Sequence, residues 1–339
     1  MADAANPLNF PFTARELTQH IAGRAPVFGD ILKSGMFKPK PVTTSEFVLT
    51  RTDQEIVVLS SGAADERRSV LADQETSATI LTAAKFTHQV KITPRDLQDN
   101  VWLDAGGQKL TSVDMAVNDR LDVLGLTFDQ TQEYLVATAL NGVVKAGDNG
   151  ALYNLYNLMG VTQKVIDLDL GNPEADILNK LRQAETHIRK NIRGEPVDGF
   201  AALVGGGLLD RIRVHPSVRR YFEGYANPFN ANPGAEEELK IGKVRFRDYF
   251  AFAKNSMGED LEYIPDDGGF LWPTGTRNLF SYYFTPVDQI DRANKMPDGK
   301  VVITLEALPH NKGFEIQGEI NCIPVVSQPA AVVKLTSST

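Results

Sequence analysis

The 339 residues carry 42% hydrophobic and 23% charged side chains, an ordinary balance for a globular chain that excludes wholesale disorder and collagen-like repetition. Thirty-five basic against 43 acidic residues give a net charge of −8, so the clustered Lys and Arg that phosphate binding needs are lacking and nucleic acid is not expected as a direct ligand. The longest uncharged run, residues 149–163, contains asparagines and glycines and falls short of the ~20 apolar residues of a spanning helix, so no membrane segment is expected.

The opening MADAANPLNFPF has no basic stretch followed by an apolar core, so no secretory leader is expected. The single Cys322 can form neither an internal disulfide nor a thiolate metal cluster. Residues 1–45 read as an arm. Pro7, Pro11, Pro26, Pro39 and Pro41 interrupt regular structure, leaving one short helix from Thr13 as its cap. Such a segment needs a surface to lie on.

Residues 44–59 and 76–92 are rich in Val, Ile, Thr and Phe and read as two long strands, joined by a charged tip that bends at Gly62. Extended, residues 46–59 alone would reach about 48 Å. An isolated two-stranded hairpin is marginal in water, so this one must be supported from elsewhere. After a short acidic turn region at 96–104, a long helix is expected from a cap at Thr111 or Ser112 to a stop at Asn141-Gly142. Val113, Val117, Leu121, Leu124, Phe128 and Leu135 recur at spacings of three, four or seven and define its buried stripe. Its length would be about 43 Å, with Gly125 and Thr127 weakening the middle.

The remainder alternates helix and strand. Residues 174–192 are amphipathic; 199–204 read as a buried strand and 208–222 as a helix broken before Pro216. Strands are expected at 243–252, 280–285, 300–307, 314–326 and 330–335.

The search for chemistry finds little. His20, His88, His187, His215 and His310 are scattered, none in a metal-binding spacing. Asp167 to Gly171 lacks the further acidic ligands of a calcium loop, and Asp266-Asp267-Gly268-Gly269 reads as a turn. The strongest rival to a structural role is Val204 to Asp210, a Gly205-Gly206-Gly207 turn between strand and helix that could present N–H groups to a nucleotide phosphate. Asp210 would repel such a ligand and no Lys-Ser or Lys-Thr follows, so tight packing is the preferred reason for the glycines; a soluble nucleotide-binding enzyme stays as the alternative.

Taken in order, FDQTQEYLVATALNGVV (128–144), NGALYNLYNLMGV (149–161), GFAALVGGGLLDRIRVHPSVRRYFEGY (199–225), YIPDDGGFLWPTGTRNLFSYYFTPVD (263–288) and IPVVSQPAAVVKL (323–335) resemble a tailed-phage major capsid protein of the lambda-like capsid protein E family. The resemblance covers nearly the whole chain and rests on the order and spacing of these segments. It implies an α+β fold of HK-ninety-seven type: an N-terminal arm (1–45), an extended β-hairpin (46–93), a peripheral domain carrying the long helix (94–142 with 286–326) and an axial domain (143–285 with 327–339).

It further implies a head-shell subunit, built into pentamers and hexamers around double-stranded DNA that is enclosed without sequence-specific binding. Neither cofactor nor catalytic residue is implied. Portal, scaffold and, where a phage carries one, a decoration protein are the further partners implied, with assembly in the bacterial cytoplasm and residence in the virion. Assembly contacts are expected at the hairpin and its tip, at Val57, Val58, Gly62, Arg67, Arg68 and Asp73. Of the hairpin lysines, Lys85 and Lys91, neither carries a mark of covalent crosslinking.

Overall fold

The computed structural model describes residues 17–19, 21, 29–52, 76–98, 101–104, 107–110, 113–148, 150–192, 195–224, 238–255 and 257–337. The long helix is one uninterrupted element, Val113–Leu140, 28 residues. In its first half only one stripe is covered: Val117, Leu121, Leu124 and Phe128 are buried while Met115 and Val123 face out. From Glu133 to Leu140 every residue is buried, so the helix runs from the surface into an enclosed end. The weak middle does not break it. Thr127 and Thr131 donate their hydroxyls to the carbonyls of Val123 and Thr127, at 2.9 and 2.8 Å, satisfying their polar atoms within the helix. Gly142, at φ +74°, supplies the left-handed stop, and its missing side chain leaves room for the Tyr156 ring.

The helix lies on a five-stranded sheet whose axis is the 13-residue strand Phe314–Val326. Val302–Ala307 pairs antiparallel along residues 314–319, and Phe280–Thr285 continues along 321–326. Ala84–Ile92 pairs antiparallel with 314–322, and Lys38–Pro41 adds parallel to residues 281–284. Two expectations change here. The stretch 76–92 is not one hairpin strand: it breaks at Ala83, and its second half belongs to the subunit's own sheet. Phe86, Val90 and Ile92 give that half an apolar side to set against the core. Strand 280–285 also sits in this sheet, so a boundary after residue 285 would divide the strand from its neighbour at 321–326.

The arm is likewise partly the subunit's own. Leu17, Ile31 and Phe37 are buried, the Phe37 ring lies 5.2 Å from that of Phe280, and the Thr18 hydroxyl accepts from the Ile303 amide at 3.1 Å. Lys38–Pro41 is an edge strand, the position where two prolines cost the fewest ladder bonds.

A six-stranded sheet runs in the spatial order Glu238–Ile241, Val244–Asp248, Gly199–Val204, Gly268–Thr274, Val333–Thr336, Lys164–Asp167. Helices Ile177–Asn191, Gly206–Val214 and Pro216–Gly224 accompany it. The interruption before Pro216 is observed, with His215 at the break. Gly268–Thr274, flanked on both sides, is a strand that the sequence reading missed. Its Pro273 pairs with Phe200, while the strand on its other side has already stopped at Leu271, so the missing N–H interrupts no ladder. Residues 94–98 and the pair 101–104/107–110 form a short helix and a small hairpin where only a turn was expected.

Gly318 fixes how closely helix and sheet approach. A β-carbon there would stand 2.8 Å from a Leu124 methyl and 2.6 Å from the Phe128 ring. Gly318→Val should therefore push the helix off the strand and cost about 1–3 kcal/mol. Denaturant unfolding would check this; a midpoint unchanged from that of the parent protein would contradict it.

Candidate assembly elements

The outer hairpin consists of Glu46–Thr52 paired with Thr76–Thr82. One face is anchored: Phe47, Leu49 and Leu81 are buried, and the Phe47 ring stacks on Tyr283 at 4.1 Å. The Thr82 amide donates to the Tyr153 hydroxyl at 2.9 Å, and that hydroxyl donates to the Thr82 carbonyl, pinning the corner before Ala83. The opposite face is apolar and open, with the cross-strand pair Val48 and Ile80 at 55% and 65% exposure. Val57, Val58, Gly62, Arg67, Arg68 and Asp73 lie outside the described residues.

Both hairpin lysines are engaged by acids of the same subunit. The Lys85 ammonium lies 2.8 Å from Asp288 and 3.3 Å from buried Glu319, and Lys91 lies 3.4 Å from Glu315. Hydrogen bonding to Asp288, then the bond and charge of Glu319, hold the Lys85 pKa above its usual value despite some desolvation. That keeps the amine protonated and a poor nucleophile.

The functional residue that the sequence reading missed is Glu133. It lies in the long helix, 1% exposed, and its carboxylate accepts from the backbone amides of Ile31 and Leu32 at 3.0 and 2.9 Å and from the Tyr249 hydroxyl at 2.6 Å. Gly29, at φ +95°, packs so close to this carboxylate that a β-carbon would overlap it. Tyr263 adds a second tie, donating to the Gln130 carbonyl at 3.1 Å. One acidic group thus joins arm, long helix and the loop that leaves the six-stranded sheet after Asp248. A glutamate placed directly before the mostly apolar run from Tyr134 to Leu140 is its only trace in the sequence.

The rival sites do not assemble. At the Gly205 turn the start of helix Gly206–Val214 is already filled: Asp266 accepts from the Gly207 amide through its carboxylate at 2.8 Å and from the Leu208 amide through its carbonyl at 3.0 Å. Side chains at Gly205 and Gly207 would collide with Asp266 itself, so close packing explains these glycines and a carboxylate stands where a phosphate would have to bind. Cys322 is fully buried, and burial raises its thiol to about 12, outweighing the hydrogen bond from the Tyr282 hydroxyl at 3.2 Å. His215 is buried, bonded to the Asn172 carbonyl at 3.0 Å and accepting from the Ser217 amide at 3.2 Å, which is a structural role. Among the described residues no group of three or more His, Cys, Asp or Glu could hold a metal ion.

A family model described as phage major capsid protein E matches residues 13–337. The chain belongs to that family. A curated relative, the major capsid protein of Salmonella phage Felix O1, is 22% identical over 353 aligned positions, covering 95% of each chain. Solved structures with the same fold include a prophage capsid protein of Escherichia coli CFT073 (TM-score 0.60, 10% identity, 96% of this chain and 99% of that one). A phage-related protein of Bordetella bronchiseptica RB50 (TM-score 0.54, 13% identity, 95% and 96%) and the capsid of cyanophage P-SCSP1u (TM-score 0.51, 12% identity, 90% and 87%) are also similar. Mixed helices and sheets in the arrangement of phage capsid proteins make the α+β, HK-ninety-seven-type assignment, and in this capsid-family chain Glu133 serves as a joint between arm, helix and loop.

Burial raises the Glu133 pKa more than the bonds from Tyr249, Ile31 and Leu32 lower it, and Asp30 adds a smaller push upward. The folded chain therefore holds this proton at pH values where the unfolded chain has lost it. Its contribution to stability is full below the ordinary glutamate pKa of about 4.3 and falls as pH rises from there through the raised folded value. Glu133→Gln should flatten that pH dependence. Glu133→Ala leaves three donors unpaired and should cost on the order of 3 kcal/mol. Unfolding curves across pH would check both; a parent-like slope in Glu133→Gln would contradict the assignment.

Proposed function

We propose that this chain is the major capsid protein of a tailed bacteriophage, assembling through its own copies into pentamers and hexamers of a head shell that encloses double-stranded DNA. The match of the family model across residues 13–337 carries the reading. The physical chemistry supports it: an apolar pair, Val48 and Ile80, is presented on a hairpin whose other face is anchored, a geometry suited to covering by an adjacent subunit. Modest contacts of this kind, repeated around rings and between rings, act together.

In this reading the arm (1–45) and hairpin (46–93) reach neighbours from anchored bases. The long-helix region with the five-stranded sheet is the peripheral domain, and the six-stranded sheet with its helices is the axial domain. Portal and scaffold proteins of the same phage are the other partners, with assembly in the host cytoplasm and residence in the virion. A net charge of −8 suits enclosure of DNA without tight binding to it. The role is structural and involves no catalysis.

Electron microscopy of the recombinant protein, alone and with neighbouring phage products, tests the reading. Closed shells are expected from the full chain. Removal of residues 62–73 should leave a folded subunit by circular dichroism that no longer closes normal shells. Absence of particles from the full chain under every condition would contradict the shell role, and normal shells from the deletion would contradict the part given to the hairpin.

A further inference from the structure

Among the described residues a further group of exposed apolar side chains follows the strand Val244–Asp248 of the six-stranded sheet. Phe250, Phe252 and Met257 are 78%, 73% and 75% exposed. They flank or belong to a small two-stranded hairpin in which Phe252–Lys254 pairs with Asp260–Glu262. Alternation sorts its side chains: Ala253 and Leu261 point into the core, while Phe252, Lys254, Asp260 and Glu262 point out. Glu259, at the turn, accepts from the Asn255 side chain at 2.8 Å. The outward surface is thus aromatic and acidic, with three carboxylates against Lys254. Among the described residues neither Asp260 nor Glu262 pairs with an arginine.

A surface of the opposite character lies where helix Gly206–Val214 meets helix Pro216–Gly224. Val214 is 60% exposed there, beside exposed Arg213, Arg219 and Arg220. Arg213 has a weak contact, 3.9 Å, with Asp210, and the other two have no acidic partner among the described residues. One short region thus offers aromatics with acids, and another offers arginines with an exposed valine. Arginine suits this pairing because it can bond carboxylates bidentately and stack on aromatic faces.

We infer that the outward face of hairpin 252–262 docks on the Val214–Arg220 corner of a second copy of this chain. The two surfaces are different patches of one subunit, so the contact is heterologous, and in the pentamers and hexamers proposed above its repetition runs around the ring. The inference rests on the shell role proposed above and assigns residues to the contact within a ring. Phe250 and Phe252 supply its apolar centre; Asp260 and Glu262 set its orientation against Arg219 and Arg220.

Charge reversal tests it in the full chain. Asp260→Arg with Glu262→Arg, and separately Arg219→Glu with Arg220→Glu, should each reduce the yield of closed particles at least tenfold while circular dichroism and melting stay parent-like. All four substitutions together should restore assembly. Phe250→Ser with Phe252→Ser, at positions that are exposed and so tolerant, should also reduce particle yield. If the parent protein assembles and either reversed pair assembles as well as it does, the contact is wrong while the shell role stands; the aromatic face would then serve a different occupant. If the folded four-substitution chain stays unassembled, the pairing is wrong. If the parent protein forms no particles, the shell role fails and the contact fails with it.

Discussion

Three backbone and side-chain donors from separate parts of the chain converge on the Glu133 carboxylate, and the subunit's architecture depends on that convergence. A carboxylate has lone pairs enough for all three, which no uncharged side chain of similar size can offer as acceptor alone. Burying it is costly, and Ile31, Leu32 and Tyr249 offset part of that cost only while they stay in place. Arm, helix and six-stranded sheet are therefore held together by one condition. Gly318 acts on the middle of the same helix, letting Leu124 and Phe128 sit against the central strand. Held at Leu124 and Phe128 by the five-stranded sheet and at Glu133 by the arm and Tyr249, the 28-residue helix serves as a strut.

That strut explains what the subunit can present to others. The outer hairpin is bolted on one face by Phe47, Leu49 and Leu81, so Val48 and Ile80 are offered in a set direction. The hairpin 252–262 is likewise seated by Ala253 and Leu261, leaving its aromatic and acidic side outward. Preorganised surfaces lose less entropy on association than floppy ones, which suits a subunit whose individual contacts are small.

Much of this was legible in the sequence wherever periodicity is strong. The long helix was readable because its apolar residues from Val113 to Leu135 keep helical spacing for about six turns and because Asn141-Gly142 stops it. The strand 314–326 and its partner 302–307 were readable from β-branched alternation around a glycine and proline turn. Gly268–Thr274 was not, because two glycines and Pro273 disguise a strand whose neighbours make those residues tolerable. The split of 76–92 at Ala83 was hidden for another reason: strand propensity is the same whether a segment pairs with a hairpin mate or with a strand more than 200 residues away. Glu133 was illegible because a glutamate in a helix normally marks the solvent face, and its three donors come from residues 31, 32 and 249. The tip residues given an assembly role in the sequence reading lie outside the described residues, so that expectation stands as part of the proposed function.

The claim that the arm's inner part belongs to the subunit, through Glu133, is open to a direct measurement. Amide hydrogen exchange on unassembled subunits reports the opening free energy at Ile31 and Leu32, whose amides donate to that carboxylate. The account predicts protection at those two amides comparable to that at Leu121 and Leu124 in the long helix, before any shell has formed. Exchange at close to the unprotected rate in the free subunit, with protection arising only in particles, would contradict it and return the whole arm to the neighbouring subunit.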